Sequence, residues 1–321
     1  LYFLFIINTS YSKTFEQWKI DFKKLAIQEG ISEITFNKIM KNAKFLPKVI
    51  EYDRFQPEFY EDTKTYIKKR TSINKVKNGI NLYVNNPKLI DLVEKEFQVE
   101  KELLLALMGI ETNFGTYVGK MDIISSLSTL SYDKRRSEFF TKELLTILKL
   151  IDNGVIDYKK LYGSWAGAFG YFQFMPSTIK VYAIDYNSNN VLELKNLEDS
   201  FASAANYINK IGWNRNEPCF YKIELNENIP LKYLNTSARK IHNKKKLKYF
   251  KKFIKNFNDL NLNNNTVVAI ITPDKDIVPD SNTLNPAYLI FNNYELILQW
   301  NRSLRFALAV CTLKDKLNNE L

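Results

Sequence analysis

Leu103-Leu104-Leu105-Ala106-Leu107-Met108-Gly109-Ile110-Glu111-Thr112-Asn113-Phe114-Gly115 is an apolar run that meets a single carboxylate and then stops. The spacing predicts a helix over Lys101 to Thr112. Leu107 and Met108 fall one turn before Glu111 and Phe114 one turn after it, all on one side of that helix. A carboxyl in such a place is desolvated and sits near the negative end of the helix dipole, and both effects favour its neutral form. A general acid working at neutral pH needs that property. A glutamate that turns out to solvent, or pairs with a lysine such as Lys120, fits the same residues, and this segment alone does not choose.

Outward from this helix the chain reads as mostly helical. Phe15 to Gln28, Ile34 to Ala43, Pro87 to Phe97 and Ser137 to Asp152 carry apolar residues at three- and four-residue spacing. Pro87 stands where a helix can begin, and Ser200 to Ile211 runs into Gly212, a helix stop. Arg302 to Leu317 closes as a helix. Cys219 to Lys232 alternates like strand, and Thr266 to Thr272 is β-branched, so a small β element is expected in the last third.

A second stretch lies at Gly163-Ser164-Trp165-Ala166-Gly167-Ala168-Phe169-Gly170-Tyr171-Phe172-Gln173-Phe174-Met175-Pro176-Ser177-Thr178. Its glycines and alanines permit close backbone approach and unusual dihedrals. Aromatic faces, together with the donors and acceptors of Ser164 and Gln173, suit sugar rings. A tightly packed loop with no ligand would use the same residues.

Together the two stretches resemble the MltB family of lytic transglycosylases. Glu-Thr-x-x-Gly at 111–115 matches the family's catalytic motif, and the run at 163–177 matches its long glycine-rich motif almost without gaps. Thr129-Leu130-Ser131 and Arg135-Arg136 lie between them at the family's spacing. Arg54-Phe55-Gln56-Pro57-Glu58 and Tyr66 fit upstream. Ala205-Asn206-Tyr207, Gly212-Trp213, Tyr294 and Trp300-Asn301 fit downstream.

The resemblance implies a mainly α (α+β) fold, with a lysozyme-like helical catalytic core, a flanking α domain and a small α/β element. The expected division is 1–12 as the remnant of a signal peptide, 13–100 as a flanking helical region, 101–215 as the core and 216–321 as an α/β region completing the groove. It also implies cleavage of the bond between N-acetylmuramic acid and N-acetylglucosamine in peptidoglycan, leaving 1,6-anhydromuramoyl ends. By position, Glu111 is the acid/base, and Ser164 and Gln173 line the cleavage site. Tyr66, Arg136, Tyr207, Tyr294 and Trp300 contact saccharide or stem peptide, Trp300 standing where the family often has tyrosine. A hydrolytic muramidase would need a second carboxylate. Asp122 and Asp133 are the nearest in sequence, and both read as structural or solvent-facing. A murein-binding scaffold without turnover is the remaining rival, and retention of Glu111 with Ser164 and Gln173 argues against it.

At 321 residues, 45% hydrophobic and 25% charged, the composition is that of a globular chain. The net charge of +11 favours an acidic polymer as partner; nucleic acid, anionic membrane and peptide-bearing murein all qualify, and the resemblance selects murein. Lysines occur all along the chain, so a biased composition accounts for the charge equally well. His242 is the single histidine, which leaves zinc chemistry and histidine-centred triads poorly supported. Cys219 and Cys311 form either one disulfide or two buried thiols. Leu1 to Ile7 is apolar and Asn8 to Ser12 small and polar, like the end of a signal peptide. The expectation is therefore a periplasmic monomer of a Gram-negative bacterium without a lipid anchor, since no cysteine follows that leader.

No cofactor is expected to be required. Asp185-Tyr186-Asn187-Ser188-Asn189-Asn190-Val191 nevertheless resembles a worn EF-hand loop, with oxygen side chains at positions one, three and five. Some family members bind calcium here, and Asp199 matches their final ligand. Asn190 replaces the glycine of the turn, and two aspartates are replaced by Asn187 and Asn189, so weak calcium binding or an ordinary surface turn is expected.

Overall fold

The computed structural model describes residues 13–55, 61–275 and 284–321. The leader at 1–12 and Gln56-Pro57-Glu58 lie outside the described residues. In chain order the helices are α1 (Phe15–Gln28), α2 (Glu33–Met40), α3 (Pro47–Arg54), α4 (Thr63–Arg70), α5 (Ile73–Asn85), α6 (Pro87–Phe97) and α7 (Lys101–Thr112). There follow α8 (Ile123–Tyr132), α9 (Ser137–Asp152), α10 (Pro176–Tyr182), α11 (Leu197–Lys210), α12 (Leu247–Phe250), α13 (Asn292–Trp300) and α14 (Leu304–Asn318). The chain is mainly helical, as its periodicity predicts, and none of the described helices is long and apolar enough to cross a membrane.

The chain forms two compact units. Among the described residues the first comprises 13–54, 119–168 and 175–180; the second comprises 55, 61–118, 169–174, 181–275 and 284–321. In the first unit α8 is the buried helix. Every residue from Ile123 to Ser131 is buried, hydroxyls included. Most buried hydroxyls are hydrogen-bonded, and those of Ser125 and Thr129 are, while Ser126 Oγ and Ser131 Oγ have no partner among the described residues. Thr129 Oγ1 donates to the Ser125 carbonyl at 2.8 Å and accepts from the Leu46 N–H at 2.9 Å, fastening the start of α3. Asp122 caps α8 by accepting from the Ser125 N–H at 2.6 Å. Beside it, β1 (Met121–Asp122) pairs antiparallel with β2 (Tyr162–Gly163). This crossing explains Gly119, whose φ is +81° and where a Cβ would lie 2.1 Å from the Gly163 carbonyl oxygen. Only glycine fits there.

In the second unit α7 is the buried helix, with Leu103 to Gly109 all buried, and it packs chiefly on α14. The α/β element is a five-stranded sheet. Its main path is β3 (Phe220–Ile223), β7 (Ala287–Ile290), β6 (Val267–Ile271) and β4 (Leu234–Asn235); β5 (Lys245–Lys246) also pairs with β6. Among the described residues only the β4–β6 pair of this sheet is parallel. The strand-like alternation from Cys219 to Lys232 yields just the four residues of β3, because Pro230 and the turns around it leave the ladder. Cys219 and Cys311 are joined in a disulfide with Cα atoms 6.2 Å apart, resolving the two readings of these cysteines and tying the entry to β3 onto α14.

Candidate active site

Glu111 occupies the last turn of α7, which ends in three consecutive residues of positive φ: Asn113 at +49°, Phe114 at +58° and Gly115 at +81°. The Asn113 N–H reaches the Gly109 carbonyl and the Phe114 N–H reaches the Met108 carbonyl, a left-handed helix stop. A phenylalanine is costly in that conformation, and such strain persists only where the surroundings enforce it. Here glycines make room for the ring that this conformation places. The Phe114 ring lies against Gly109 and Gly79; a Cβ at Gly109 would stand 2.7 Å from Phe114 Cζ, and one at Gly79 3.1 Å from it. Folding the ring back this way leaves Glu111 half-buried at the helix end.

Thr112 stitches that end to the glycine-rich motif. Its Oγ1 donates to the Tyr171 carbonyl at 2.8 Å and accepts from the Gly115 N–H at 3.0 Å. The 169–174 part of the motif is a tight reversal closed by paired bonds between Phe169 and Phe174 at 3.1 and 3.0 Å. Gln173 sits at its corner with φ +48°, and its Nε2 donates to the Gly170 carbonyl at 2.8 Å and the Val118 carbonyl at 3.3 Å. Glu111 and Gln173 thus both belong to the second unit.

Trp300 completes this arrangement. Its Nε1–H donates to Glu111 Oε1 at 3.0 Å. The indole is held flat against Tyr207 (centroids 5.0 Å apart, planes 17° apart), and Tyr207 in turn stacks on Tyr182 at 4.3 Å. Phe174 and Phe172 pack on the indole at 5.2 and 6.2 Å. Burial pushes the Tyr207 phenol up to about 12, so it stays protonated and donates to the Gln299 carbonyl at 3.1 Å. Sequence reasoning places Trp300 among saccharide contacts; the structure puts its N–H on the carboxylate. Only the asymmetry of the residue, a ring with one donor, hints at that.

The other expected contacts are placed as follows. Tyr294 is fully buried, with its hydroxyl donating to the Leu304 carbonyl at 2.6 Å. Tyr66 is 4% exposed, with the Arg70 guanidinium 3.5 Å from its ring centroid. Ser164 and Arg136 belong to the first unit. Ser164 Oγ accepts from the Ala168 N–H at 3.0 Å, closing the loop that carries it, and Gly167 in that loop is pressed against Leu127. Arg136 is ion-paired with the buried Asp53, which also binds Arg135 at 2.8 Å. Two positioning residues escape sequence reasoning. One is Asp53; the other is Glu143, which accepts from the Ser177 N–H and hydroxyl at 2.8 and 2.6 Å and so anchors the end of the glycine-rich motif. Each shares its helix with at least one other acid, without a motif to mark it.

Asp122 and Asp133, the candidate second carboxylates, both have structural engagements. Asp122 caps α8, and Asp133 pairs with Arg54 at 3.0 Å while accepting from the Arg135 N–H at 3.3 Å.

In the EF-hand-like loop, Asp185 accepts from the Asn189 and Asn190 N–H groups at 3.1 and 2.7 Å. Asn187 Oδ1 accepts from Asn189 N–H at 3.1 Å, and Asn189 Oδ1 from Val191 N–H at 2.8 Å. Buried Asp199 accepts from the Tyr186 and Glu193 N–H groups at 2.9 and 2.8 Å. Asn190 takes φ +67°, so asparagine supplies the turn that glycine would. A site built from Asp185, Asn187, Asn189 and Asp199 would offer two carboxylates only, a donor set that holds a hard cation weakly. The loop is already closed on its own N–H groups. Among the described residues no group of three or more His, Cys, Asp or Glu is placed to hold a metal.

Membrane-bound lytic murein transglycosylase B of Escherichia coli (strain K12) is 36% identical to this chain over 149 residues, 46% of the chain and 41% of that relative. The chain thus matches less than half the length of that curated relative. Among solved structures, SltB3 from Pseudomonas aeruginosa in complex with NAG-anhNAM-pentapeptide superposes with a TM-score of 0.82 at 28% identity, covering 95% of this chain and 80% of that one. The Escherichia coli lytic transglycosylase Slt35 in complex with calcium superposes with a TM-score of 0.78 at 23% identity, covering 94% and 93%, a likeness of fold. The Transglycosylase SLT domain family model matches residues 14–315, and the chain belongs to that family.

Proposed function

We propose that this protein is a lytic transglycosylase of peptidoglycan, with Glu111 as its single acid and base. The observation that carries the reading is the Glu111–Trp300 pair at the strained end of α7, beside the Gln173 corner. Neutral Glu111 protonates the glycosidic oxygen between the muramoyl residue and the next glucosamine. Positive charge develops at C1 and is stabilised by the muramoyl N-acetyl group and nearby dipoles, among them that of Gln173. Ionised Glu111 then takes the proton of the C6 hydroxyl, whose oxygen attacks C1 of the same sugar. The product is a 1,6-anhydromuramoyl end, and no water is consumed. A tethered nucleophile has a large effective molarity, which offsets the absence of a second carboxylate.

The indole N–H suits both halves of this cycle. A carboxylic acid protonated on one oxygen and a carboxylate can each accept from it, so the contact orients Glu111 in both states. The structural engagement of Asp122 and Asp133 supports transglycosylation over hydrolysis. Ser164 and Arg136 keep the substrate-binding roles that the motif resemblance gives them, as do Tyr66, Tyr207 and Trp300. Functionally, 13–100 acts as the flanking helical region, 101–215 as the catalytic core and 216–321 as the α/β region. The chain acts in the periplasm, a reading supported by its disulfide, since disulfides persist in oxidising compartments. Calcium would be held by Asp185, Asn187, Asn189 and Asp199 and would supply fixed charge that clamps the loop; no chemical step depends on it. Mass analysis of murein digested by the protein tests the reading. Anhydro ends, lighter by one water than reducing ends, are expected, and reducing ends alone would establish a hydrolase instead.

A further inference from the structure

Lysines run along the whole chain, but acidic residues do not always accompany them. Residues 228–258 hold nine lysines and Arg239 with no aspartate or glutamate, and so carry +10 against a net charge of +11. All ten cations are exposed, whereas Leu247, Phe250, Phe253 and Ile254, interleaved with them, are buried in the core of the α/β element. Lys232, Lys245 and Lys252 gather around one aromatic group. Lys232 Nζ lies 5.3 Å from the Tyr233 ring centroid, Lys245 Nζ 5.9 Å from that of Tyr249 and Lys252 Nζ 5.0 Å from that of Phe253. The Tyr233 and Tyr249 hydroxyls are 2.6 Å apart. Of the ten, only Lys244 is ion-paired among the described residues, with Glu295 at 2.5 Å.

The ground beneath this charge is rigid. Buried Asn235 donates to the His242 and Ile270 carbonyls at 3.2 and 2.9 Å and accepts from the His242 N–H at 2.7 Å. Asn243, at φ +56°, donates to the Lys232 carbonyl at 2.5 Å. The loop so pinned borders a cavity of about 390 Å³ whose wall includes Lys232, Ser237, Arg239, Lys240 and His242. Edge-strand lysines commonly guard a sheet against aggregation, which accounts for Lys245 and Lys246 on β5. It does not account for Lys248, Lys251, Lys252 and Lys255 on the turns that follow.

We propose that this face docks the protein on an anionic bilayer, with phosphate headgroups meeting the lysines. Nine of the ten cations are lysine, a strongly hydrated point charge suited to a diffuse phosphate surface, where paired recognition of carboxylates favours arginine. Leu231, 62% exposed, and Tyr249, 42% exposed, stand among them as an apolar and an amphipathic side chain able to enter the headgroup layer. The proposal is independent of the chemistry assigned to Glu111.

Co-sedimentation of the full chain with phosphatidylcholine vesicles, with and without phosphatidylglycerol, tests it. Binding only to the anionic vesicles, weakening as salt rises, is expected. The Lys245→Gln/Lys248→Gln/Lys252→Gln variant should bind them about a hundredfold more weakly, roughly fivefold per lysine. It should keep its circular dichroism and its activity on purified murein, and the corresponding arginine variant should bind like wild type. Absence of wild-type binding to anionic vesicles, or undiminished binding by the glutamine variant, would overturn the proposal. So would loss of pelleting with purified murein while vesicle binding persists, because the face would then read the carboxylates of the wall.

Discussion

Trp300→Phe removes one hydrogen bond and one ring of the indole while keeping an aromatic face, which makes it a probe of the site. The ring that remains still stacks on Tyr207 and meets Phe174, so the aromatic cluster around it persists. What disappears is the N–H that reaches Glu111 Oε1 at 3.0 Å. A hydrogen bond to a group that carries charge during the cycle contributes about 1.5–3 kcal/mol. If that contribution is felt in the transition state, the rate falls by about ten- to a hundredfold. The assay is release of anhydro-muropeptides from purified murein, with kcat and KM separated. The fall should be in kcat, since the contact orients the acid, and the melting temperature should change by only a few degrees. An unchanged kcat would refute the idea that the indole holds the carboxyl for catalysis. A large rise in KM with kcat intact would return Trp300 to the role of saccharide platform.

Three further outcomes follow from the same geometry. Gly109→Ala drives a methyl to 2.7 Å from Phe114 Cζ and should cost about 1–3 kcal/mol in denaturant unfolding, with activity falling as the helix end is displaced; equal stability would mean the ring yields freely. Reducing the Cys219–Cys311 disulfide opens a loop closed over 92 residues, and the loop-entropy relation gives a loss of about 4–5 kcal/mol, measured by urea unfolding with and without reductant. Calcium up to about millimolar concentration should raise the melting temperature by less than about 1 °C, because stabilisation stays small until the ligand well exceeds its dissociation constant; a shift of several degrees would assign the Asp185 loop a filled site.

The helices legible in the sequence are those with an apolar stripe and a clear stop. Phe15–Gln28, Pro87–Phe97, Lys101–Thr112 and Ser137–Asp152 have the same bounds in the structure. Ile123–Tyr132 was hidden by its composition, since serines and threonines compete for backbone bonds in isolation; burial on all sides makes it a helix. Thr63–Arg70 and Ile73–Asn85 were hidden by lysines and asparagines, their helical form being set by packing against α14 and α7. In the site, motif spacing pointed to Glu111, Ser164 and Gln173. It could not reveal that the Trp300 indole would meet Glu111, nor that Tyr294 would be sealed in the interior, because both depend on how segments distant in sequence pack. The basic face is legible in a different way. Its signal is the absence of acids between Glu227 and Asp259, which a count of lysines alone does not register.

The claim that one carboxylate serves as both acid and base is tested most directly by Glu111→Gln, a change that keeps shape and the ability to accept from Trp300 while removing the proton-transferring group. On purified murein the variant should retain its fold and its binding to murein and lose nearly all release of anhydro-muropeptides. Sustained release at a rate near wild type would contradict the account and move the chemistry to another residue.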